Sequence, residues 1–272
     1  MSSRPTAIEA FTADPAGSGL ILDFDGVLAP IVDDPALSAM PDRVAATLER
    51  LAGLLGLLAI VSGRPADFLA ARVHLPGVPL LGSYGIERII DGVRHLDPAA
   101  EPWLGPVAEA SRTLTDQLSD WPGVRVEEKA VSVAVHWRQA PDQAAAADQV
   151  RRVAALVAAQ TGLRLEPGKL VEELRPPIEM DKGSAVSGLL ANGKLAAEAT
   201  PSTATPATVA YAGDDLGDLP ALRAVREAGG YALVVDHGTE TDPALLEMAD
   251  QSFDGTEAFA AWLAELVAAI GA

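Results

Sequence analysis

The chain has 272 residues, 49% of them hydrophobic, which is enough to bury a sizeable core as one large or two modest domains. A formal net charge of −18 argues against nucleic acid or an anionic membrane surface as a partner, because both require clustered Lys and Arg. The absence of cysteine excludes disulfides, thiolate metal sites and a cysteine nucleophile. No segment resembles a signal peptide or a membrane span, so we expect a cytoplasmic protein.

The first hundred residues predict strands that alternate with helices. A strand, a helix and a second strand follow one another, and this βαβ order implies a parallel sheet. The predicted elements are, in order, a strand over 19–22, a helix over 42–54, a strand over 57–61, a helix carrying Phe68, Leu69 and Val73 after Pro65, a strand over 79–82, and a hairpin over 86–96 turning at Asp91-Gly92.

From about residue 101 the pattern becomes typical of a separate α+β unit, and after Pro176-Pro177 the parallel pattern resumes. We therefore expect an α/β core domain over 1–100 and 177–272, split by an inserted domain over 101–176. The Thr- and Pro-rich segment 199–207 predicts a flexible surface loop. The predicted elements are helices over 107–118, 142–161 and 183–190, and strands over 131–137, 163–166, 169–174 and 208–212.

Two aspartates, Asp23 and Asp25, follow the first predicted strand. Open α/β sheets place their chemistry at the carboxyl ends of strands. Side chains alternate along a strand, so both carboxylates are expected on one side, where their crowding favours a hard divalent cation such as Mg²⁺. Asp-x-Asp-Gly is also ordinary turn chemistry, and the motif alone leaves both interpretations open.

Other polar residues fall at the ends of further predicted parallel strands or ahead of a helix, and the set provides what phosphoryl transfer requires. Asp23 is the expected nucleophile, Asp25 the general acid and then base, and Asp214 the residue that completes the metal site. Lys182 would offset the negative charge, although a lysine beside glycine is usually a solvated loop residue. Asp215 and Asp218 also suit turn and capping positions, so we expect direct ligation only from Asp214.

The phosphate oxygens are expected to be bound by the Ser62 hydroxyl and by backbone N–H groups near Asp25 and Gly26, with Gly63 as a further phosphate-binding residue. Ser62 could equally serve as a helix cap, or as both.

Four segments resemble, in order, the motifs of haloacid dehalogenase-type phosphatases: Asp23–Ile31, Val61–Pro65, Met180–Gly183 and Gly213–Asp218. Within that superfamily the chain resembles the trehalose-6-phosphate phosphatase family, because Pro-Ile follows the aspartate motif and the second strand ends in Ser-Gly-Arg. The resemblance spans most of the chain. It implies a Rossmann-like parallel-sheet core with an α+β cap, and Mg²⁺ as cofactor. The implied metal ligands are Asp23, the backbone carbonyl of Asp25, and Asp214, with support from Asp215, Asp218 and Arg64.

The inserted domain carries two further segments that resemble the cap of this family, 128–138 and 168–176. The resemblance implies that the cap closes over the sugar of trehalose 6-phosphate, the expected substrate, and it implies a functional link to a trehalose-6-phosphate synthase. The implied sugar contacts are Lys169 and Glu173, with Glu128, Lys129, His136 and Arg138 in the pocket or its support. His136 also suits a packing position on an alternating strand.

Three departures from the family pattern stand out: Tyr84 replaces the usual histidine before glycine, Val27 replaces threonine, and 216–219 departs from the usual run after the paired aspartates. They affect the expected substrate pocket and metal site. Two alternatives to a trehalose-6-phosphate phosphatase remain: a phosphatase for another sugar or glycosyl phosphate, and a non-catalytic domain that senses a sugar phosphate. Retention of a nucleophile favours an enzyme, because binding alone does not require one.

Overall fold

The computed structural model describes residues 4–32, 34–168, 170–191 and 208–271. Lys169 and the predicted surface loop 199–207 lie outside the described residues. The chain forms two compact units: Met1–His95 with Met180–Ala272, and Leu96–Glu179. Among the described helices, none has the length and hydrophobicity that crossing a membrane requires.

The strands and helices of the described residues are numbered in chain order. The strands are β1 (Ser18–Leu22), β2 (Leu57–Val61), β3 (Leu80–Gly82), β4 (Glu87–Ile90), β5 (Val93–Leu96), β6 (Arg125–Glu128), β7 (Val133–His136), β8 (Arg164–Gly168), β9 (Val171–Arg175), β10 (Thr208–Gly213), β11 (Tyr231–Asp236) and β12 (Gln251–Asp254). The α-helices are α1 (Ala7–Ala13), α2 (Asp42–Leu54), α3 (Ala66–Ala70), α4 (Leu104–Leu118), α5 (Gln143–Thr161), α6 (Lys182–Ala191), α7 (Leu219–Glu227), α8 (Pro243–Met248) and α9 (Gly255–Ile270).

The larger unit is built on a sheet of order β12-β11-β10-β1-β2-β3-β4-β5. The pairs from β12 to β3 are parallel, and β4 pairs with β3 antiparallel. Every residue of β1 and β2 is buried, because helices cover both faces of the sheet. One core packs α1, α2 and α9 on the sheet, and a second packs α6, α7 and α8. The predicted α/β fold with a parallel sheet is confirmed.

The smaller unit has an antiparallel sheet of order β6-β7-β9-β8. Helices α4 and α5 contribute the apolar residues that pack on it, including Leu114 and Val150, against Val133, Val135 and Leu174 of the sheet. Along β7 and β9 these apolar residues alternate with residues of the other face, which carries the polar side chains of His136 and Glu173.

Some predicted elements differ from the observed ones. Helix α3 ends at Ala70, and Val73 lies beyond it. Strand β6 was not predicted, because Arg-Val-Glu-Glu has one apolar residue and gives a weak alternation signal. The hairpin prediction is confirmed: Asp91 and Gly92 have φ of +50° and +77°, as a two-residue primed turn requires.

Candidate active site

A pocket of about 380 Å³ in the larger unit lies where β1, β2 and β10 end. These neighbouring parallel strands deliver their following residues to one edge of the sheet, as the sequence predicts. The predicted site residues that line it are Asp23, Asp25, Ser62, Gly63, Arg64, Lys182, Asp214 and Asp215.

Asp23 and Lys182 form a buried ion pair at the base of this pocket. Lys182 Nζ donates to Asp23 Oδ2 at 2.8 Å and to Asp218 Oδ1 at 2.7 Å. Burial raises the pKa of Asp23 to about 8 although the lysine favours its charged form. Burial alone would lower the pKa of Lys182, but Asp23 and Asp218 together raise it well above its usual range. Lys182 is therefore a fixed cation at the first residue of α6, and the loop-charge alternative is wrong.

Asp218 holds the segment that carries Asp214 in place. Its Oδ1 accepts from Lys182 and from the Tyr211 hydroxyl, and its Oδ2 accepts from the backbone N–H groups of Asp214 and Asp215 at 2.9 and 3.0 Å. The capping interpretation of Asp215 and Asp218 is confirmed, since the two form a reciprocal capping box over the turn at 216–218. Both Asp218 oxygens are engaged, so it acts as a support.

Asp23, Asp214 and Asp218 each place a carboxylate oxygen within 4.8 Å of the others, so the described residues include an arrangement that could hold a metal ion. Asp23 Oδ1 is buried and has no hydrogen-bond partner in the described part of the chain. Burial and the neighbouring carboxylates raise the pKa of Asp214 to about 8. A buried carboxylate oxygen without a hydrogen-bond donor fits Mg²⁺, which prefers oxygen ligands. Since Asp218 is saturated, Asp23 and Asp214 are the side chains free to bind it.

The Asp25 side chain turns away from this carboxylate cluster. Arg64 binds it with two contacts, Nε to Oδ2 at 2.6 Å and Nη2 to Oδ1 at 2.9 Å, and Ser38 Oγ donates to Oδ1 at 2.7 Å. Burial would raise the pKa of Asp25, but the Arg64 and Ser38 contacts lower it below its ordinary value. The expectation that two crowded aspartate side chains share one cation is therefore wrong, because Asp25 has a guanidinium partner.

The residues expected to bind phosphate differ in their surroundings. Ser62 Oγ accepts from the Arg64 backbone N–H at 3.2 Å, and α3 is capped by Pro65, so the helix-cap interpretation of Ser62 is wrong. The Gly26 N–H donates to the Ala29 carbonyl, so that donor already has a partner inside the chain. Gly26 instead makes room for the Asp214 carboxylate: at the Gly26 φ of +72° an added Cβ would lie 2.0 Å from an Asp214 oxygen.

His237 lines the pocket and was not predicted. Its Nε2 lies 2.8 Å from the Gly26 carbonyl and 3.6 Å from Asp214 Oδ2, and its backbone N–H donates to Thr241 Oγ1. His237 directly follows β11, the parallel neighbour of β10. Its position just after a parallel strand is the sequence feature that could have identified it as a pocket residue. The contact joins the loop after Asp23 to the loop after β11.

Tyr84, whose replacement of the usual histidine was expected to affect the substrate pocket, also lines the pocket. Ser83 and Tyr84 have φ of +49° and +60°. Each such residue costs roughly 1–3 kcal/mol, so the surrounding contacts must hold the turn in this conformation.

The polar face of the smaller unit contains several of the residues implied by the cap resemblance. Lys129 Nζ and Ser132 Oγ donate to Glu173 Oε1 at 3.0 and 2.5 Å. Burial would raise the pKa of Glu173, but Lys129 and Ser132 lower it. His136 Nε2 lies 2.8 Å from Glu127 Oε2, so this histidine has a carboxylate partner on the neighbouring strand.

Glu128 and Arg138, which the resemblance placed in or near the sugar pocket, are exposed. Glu127, one residue earlier in β6, pairs with His136 on the polar face, because side chains alternate along a strand. The period-two pattern through Arg125, Glu127 and Lys129 could have identified Glu127.

Comparison with known proteins identifies the family. A family model described as trehalose-phosphatase matches residues 21–248. The chain belongs to the trehalose-phosphatase family. The trehalose-phosphate phosphatase of Mycobacterium marinum is 36% identical over 253 residues, which are 90% of this chain and 61% of that protein. The corresponding Mycobacterium leprae protein is 36% identical over 224 residues, 80% of this chain and 50% of the relative. The chain thus spans only part of the length of these relatives.

Solved structures show the same fold. The C-terminal domain of the Candida albicans trehalose-6-phosphate phosphatase superposes with a TM-score of 0.71 at 20% identity and covers 98% of both chains. A haloacid dehalogenase-like hydrolase from Bacteroides thetaiotaomicron superposes with a TM-score of 0.59 at 17% identity, over 92% of this chain and 99% of that one. The predicted membership of the trehalose-phosphatase family is confirmed.

Proposed function

We propose that the protein is a Mg²⁺-dependent phosphatase that converts trehalose 6-phosphate to trehalose and phosphate through an aspartyl-phosphate on Asp23. The observation that carries the proposal is the state of Asp23, a buried carboxylate with one oxygen on Lys182 and the other without a hydrogen-bond partner in the described residues. Binding alone does not require such a group. The trehalose-phosphate phosphatase relatives support the choice of substrate.

The first half-reaction transfers the phosphoryl group to the enzyme. A carboxylate oxygen of Asp23 forms a bond to phosphorus while the bond from phosphorus to the sugar oxygen breaks, and Asp25 gives its proton to that oxygen. Arg64 holds Asp25 as a carboxylate in this structure. The acid role therefore requires that Asp25 give up at least one Arg64 contact and carry a proton.

The second half-reaction releases phosphate. Asp25, now a carboxylate, takes a proton from a water molecule whose oxygen attacks phosphorus, and the bond from phosphorus to Asp23 breaks. The Arg64 ion pair suits this base role, because it orients Asp25 in its charged form. The original carboxylate of Asp23 is restored.

The remaining residues bind and neutralise the phosphoryl group. Lys182 balances the charge on Asp23. Ser62 and Gly63 line the pocket, where the hydroxyl and the backbone N–H would donate to phosphate oxygens. Mg²⁺ would be held by Asp23, by Asp214 and by the Asp25 carbonyl. When bound, it supplies Lewis-acid stabilisation of charge on the phosphoryl oxygens.

We assign sugar recognition to the polar face of the smaller unit, which would make Leu96–Glu179 a substrate-specificity cap. The Lys129–Glu173 pair and the Glu127–His136 pair offer charged donors and acceptors of the kind that sugar hydroxyls require. Lys169, also implied by the resemblance, belongs to this assignment. The expected partners are the sugar phosphate and, functionally, a synthase that makes it; the expected location is the cytoplasm.

The decisive experiment is phosphate release from trehalose 6-phosphate with Mg²⁺, compared with glucose 6-phosphate and sucrose 6-phosphate at matched concentrations. We expect strong selectivity for the trehalose ester and complete loss of turnover in Asp23→Asn with the fold retained. Equal turnover of the three esters would indicate another sugar phosphate as substrate. Binding without phosphate release by the parent protein would indicate a sensing domain.

A further inference from the structure

The turn at Ser83-Tyr84-Gly85 lies beside the pocket, and the proposed mechanism does not use it. Three successive residues have positive φ, and Tyr84 has φ 60° and ψ 29°, in the left-handed region. A bulky side chain in this region is an outlier. Such conformations persist where the surrounding structure determines them, and they cluster at ligand sites.

Backbone hydrogen bonds tie this turn to the segment expected to bind phosphate. The Ser83 N–H donates to the Arg64 carbonyl at 2.8 Å, and the Tyr84 N–H donates to the Ser62 carbonyl at 3.0 Å. The position of Tyr84 is therefore set relative to Ser62 and Gly63.

A buried carboxylate fixes the turn from the other side. Ser83 Oγ donates to Glu87 Oε2 at 2.5 Å, and Arg94 Nη1 donates to Glu87 Oε1 at 2.9 Å. Glu87 is only 1% exposed. A charged group is seldom buried unless it is paired, and here its pairing holds the residue that precedes Tyr84.

The conformation held in this way brings the phenol over Gly63. A Cβ added at Gly63 would lie 2.9 Å from both the hydroxyl oxygen and Cζ of Tyr84. The ring therefore needs glycine beneath it, and both Gly63 and Tyr84 line the pocket. A phenol hydroxyl at this place lies on the wall where the phosphoryl group is expected.

We propose that Tyr84 is a phosphate-binding residue whose hydroxyl donates a hydrogen bond to a non-bridging oxygen of the phosphoryl group. The assignment rests on the proposed phosphatase function. It also gives a physical reason for the strained turn, since another conformation would take the hydroxyl off the pocket wall.

The test measures the affinity for inorganic phosphate in the presence of Mg²⁺ by calorimetry, with Tyr84→Phe as the variant. Tyr231→Phe is the matched control, because the Tyr231 hydroxyl donates to the Pro5 carbonyl and Tyr231 does not line the pocket. We expect the dissociation constant to rise roughly tenfold or more in Tyr84→Phe, as for loss of a hydrogen bond to a charged group, and to stay unchanged in the control. An unchanged value in Tyr84→Phe overturns the assignment.

A second variant, Tyr84→Gly, distinguishes loss of the hydroxyl from disruption of the fold. Glycine adopts positive φ without strain, so the thermal unfolding midpoint of the Tyr84→Gly protein should equal or exceed that of the parent. The phosphate affinity of this variant should fall at least as far as in Tyr84→Phe. Weakening in Tyr84→Gly alone would show that the ring packs without donating, which also overturns the assignment.

If the parent binds phosphate through Tyr84 but does not hydrolyse trehalose 6-phosphate, the proposed function fails and the assignment stands. A parent that binds no phosphate overturns the assignment.

Discussion

Asp218→Asn tests whether the carboxylate behind the pocket organises it. Asp218 is fully buried, and its oxygens accept from two groups each: Lys182 and Tyr211 on Oδ1, and the backbone N–H groups of Asp214 and Asp215 on Oδ2. An amide has one accepting oxygen and one donating nitrogen. In either orientation, the amide nitrogen of asparagine faces two donors.

The size of the expected stability loss in Asp218→Asn follows from these contacts. Asp218→Asn breaks a buried ion pair and leaves buried donors unpaired, which should lower the free energy of unfolding by roughly 3–5 kcal/mol. Asp215→Asn is the matched control for stability, because the Asp215 side chain is 66% exposed whereas that of Asp218 is fully buried. We expect the free energy of unfolding of Asp215→Asn to fall by less than about 1 kcal/mol.

Urea unfolding followed by circular dichroism measures both variants. Phosphate release under native conditions should fall at least about a hundredfold in Asp218→Asn, because either Lys182 or the Asp214 segment loses its acceptor. That fall corresponds to a loss of more than about 2.7 kcal/mol in transition-state stabilisation. An Asp218→Asn protein within about 1 kcal/mol of the parent in stability would contradict the supporting role of Asp218, because two buried donors would then tolerate an amide nitrogen.

Two further predictions concern the metal site. Gly26→Ala should weaken Mg²⁺ binding at least about tenfold in calorimetry, because the alanine Cβ would lie 2.0 Å from an Asp214 oxygen. The control is Gly53→Ala, in open space on α2, which should leave Mg²⁺ affinity unchanged. Equal Mg²⁺ affinities of the two variants would contradict the placement of Asp214. The Asp214 pKa, raised by burial from 3.8 to about 8, means that the folded protein binds this proton more tightly than the unfolded chain. The metal-free protein should therefore lose stability as pH rises from about 4 to 8, and Mg²⁺ affinity should rise about tenfold per pH unit for each displaced proton until about pH 8. An Mg²⁺ affinity independent of pH between 6 and 8 would show that Asp214 is already ionised.

The elements with strong local signals could be predicted from the sequence. The bounds of α2 and β2 match the predicted ranges, because apolar periodicity and flanking breakers mark both ends. After about residue 219 no elements were predicted, although β11, β12 and α9 complete the core. Helix α9 is rich in apolar residues and β12 has one buried residue, so neither gives a clear periodic pattern.

The pocket residues that follow β1, β2 and β10 could be predicted, but their partners and His237 could not. The residues after β1, β2 and β10 reach one pocket because parallel strands share an edge. The pairing of Asp25 with Arg64, 39 residues away, and of His237 with Gly26, 211 residues away, depends on tertiary packing. Local pattern carries no information on such pairs, so Asp25 was expected beside Asp23.

The charge of the pocket bears on how it binds an anion. Its lining contains five carboxylates, against two cationic side chains, Lys182 and Arg64. Lys182 is already paired with Asp23 and Asp218, and Arg64 with Asp25. A phosphate group therefore meets no uncompensated positive side chain among the described lining residues, and like charges repel it.

A divalent cation between Asp23 and Asp214 would reverse this balance, so metal should be required for anion binding as well as for turnover. Inorganic phosphate should give measurable heat in calorimetry with Mg²⁺ and none after chelation with EDTA, at equal ionic strength so that screening is matched. Equal phosphate affinity in both conditions would mean that Lys182 or Arg64 leaves its carboxylate partner for the anion. The two cations would then bind phosphate directly, and the metal would be needed only for the chemical steps.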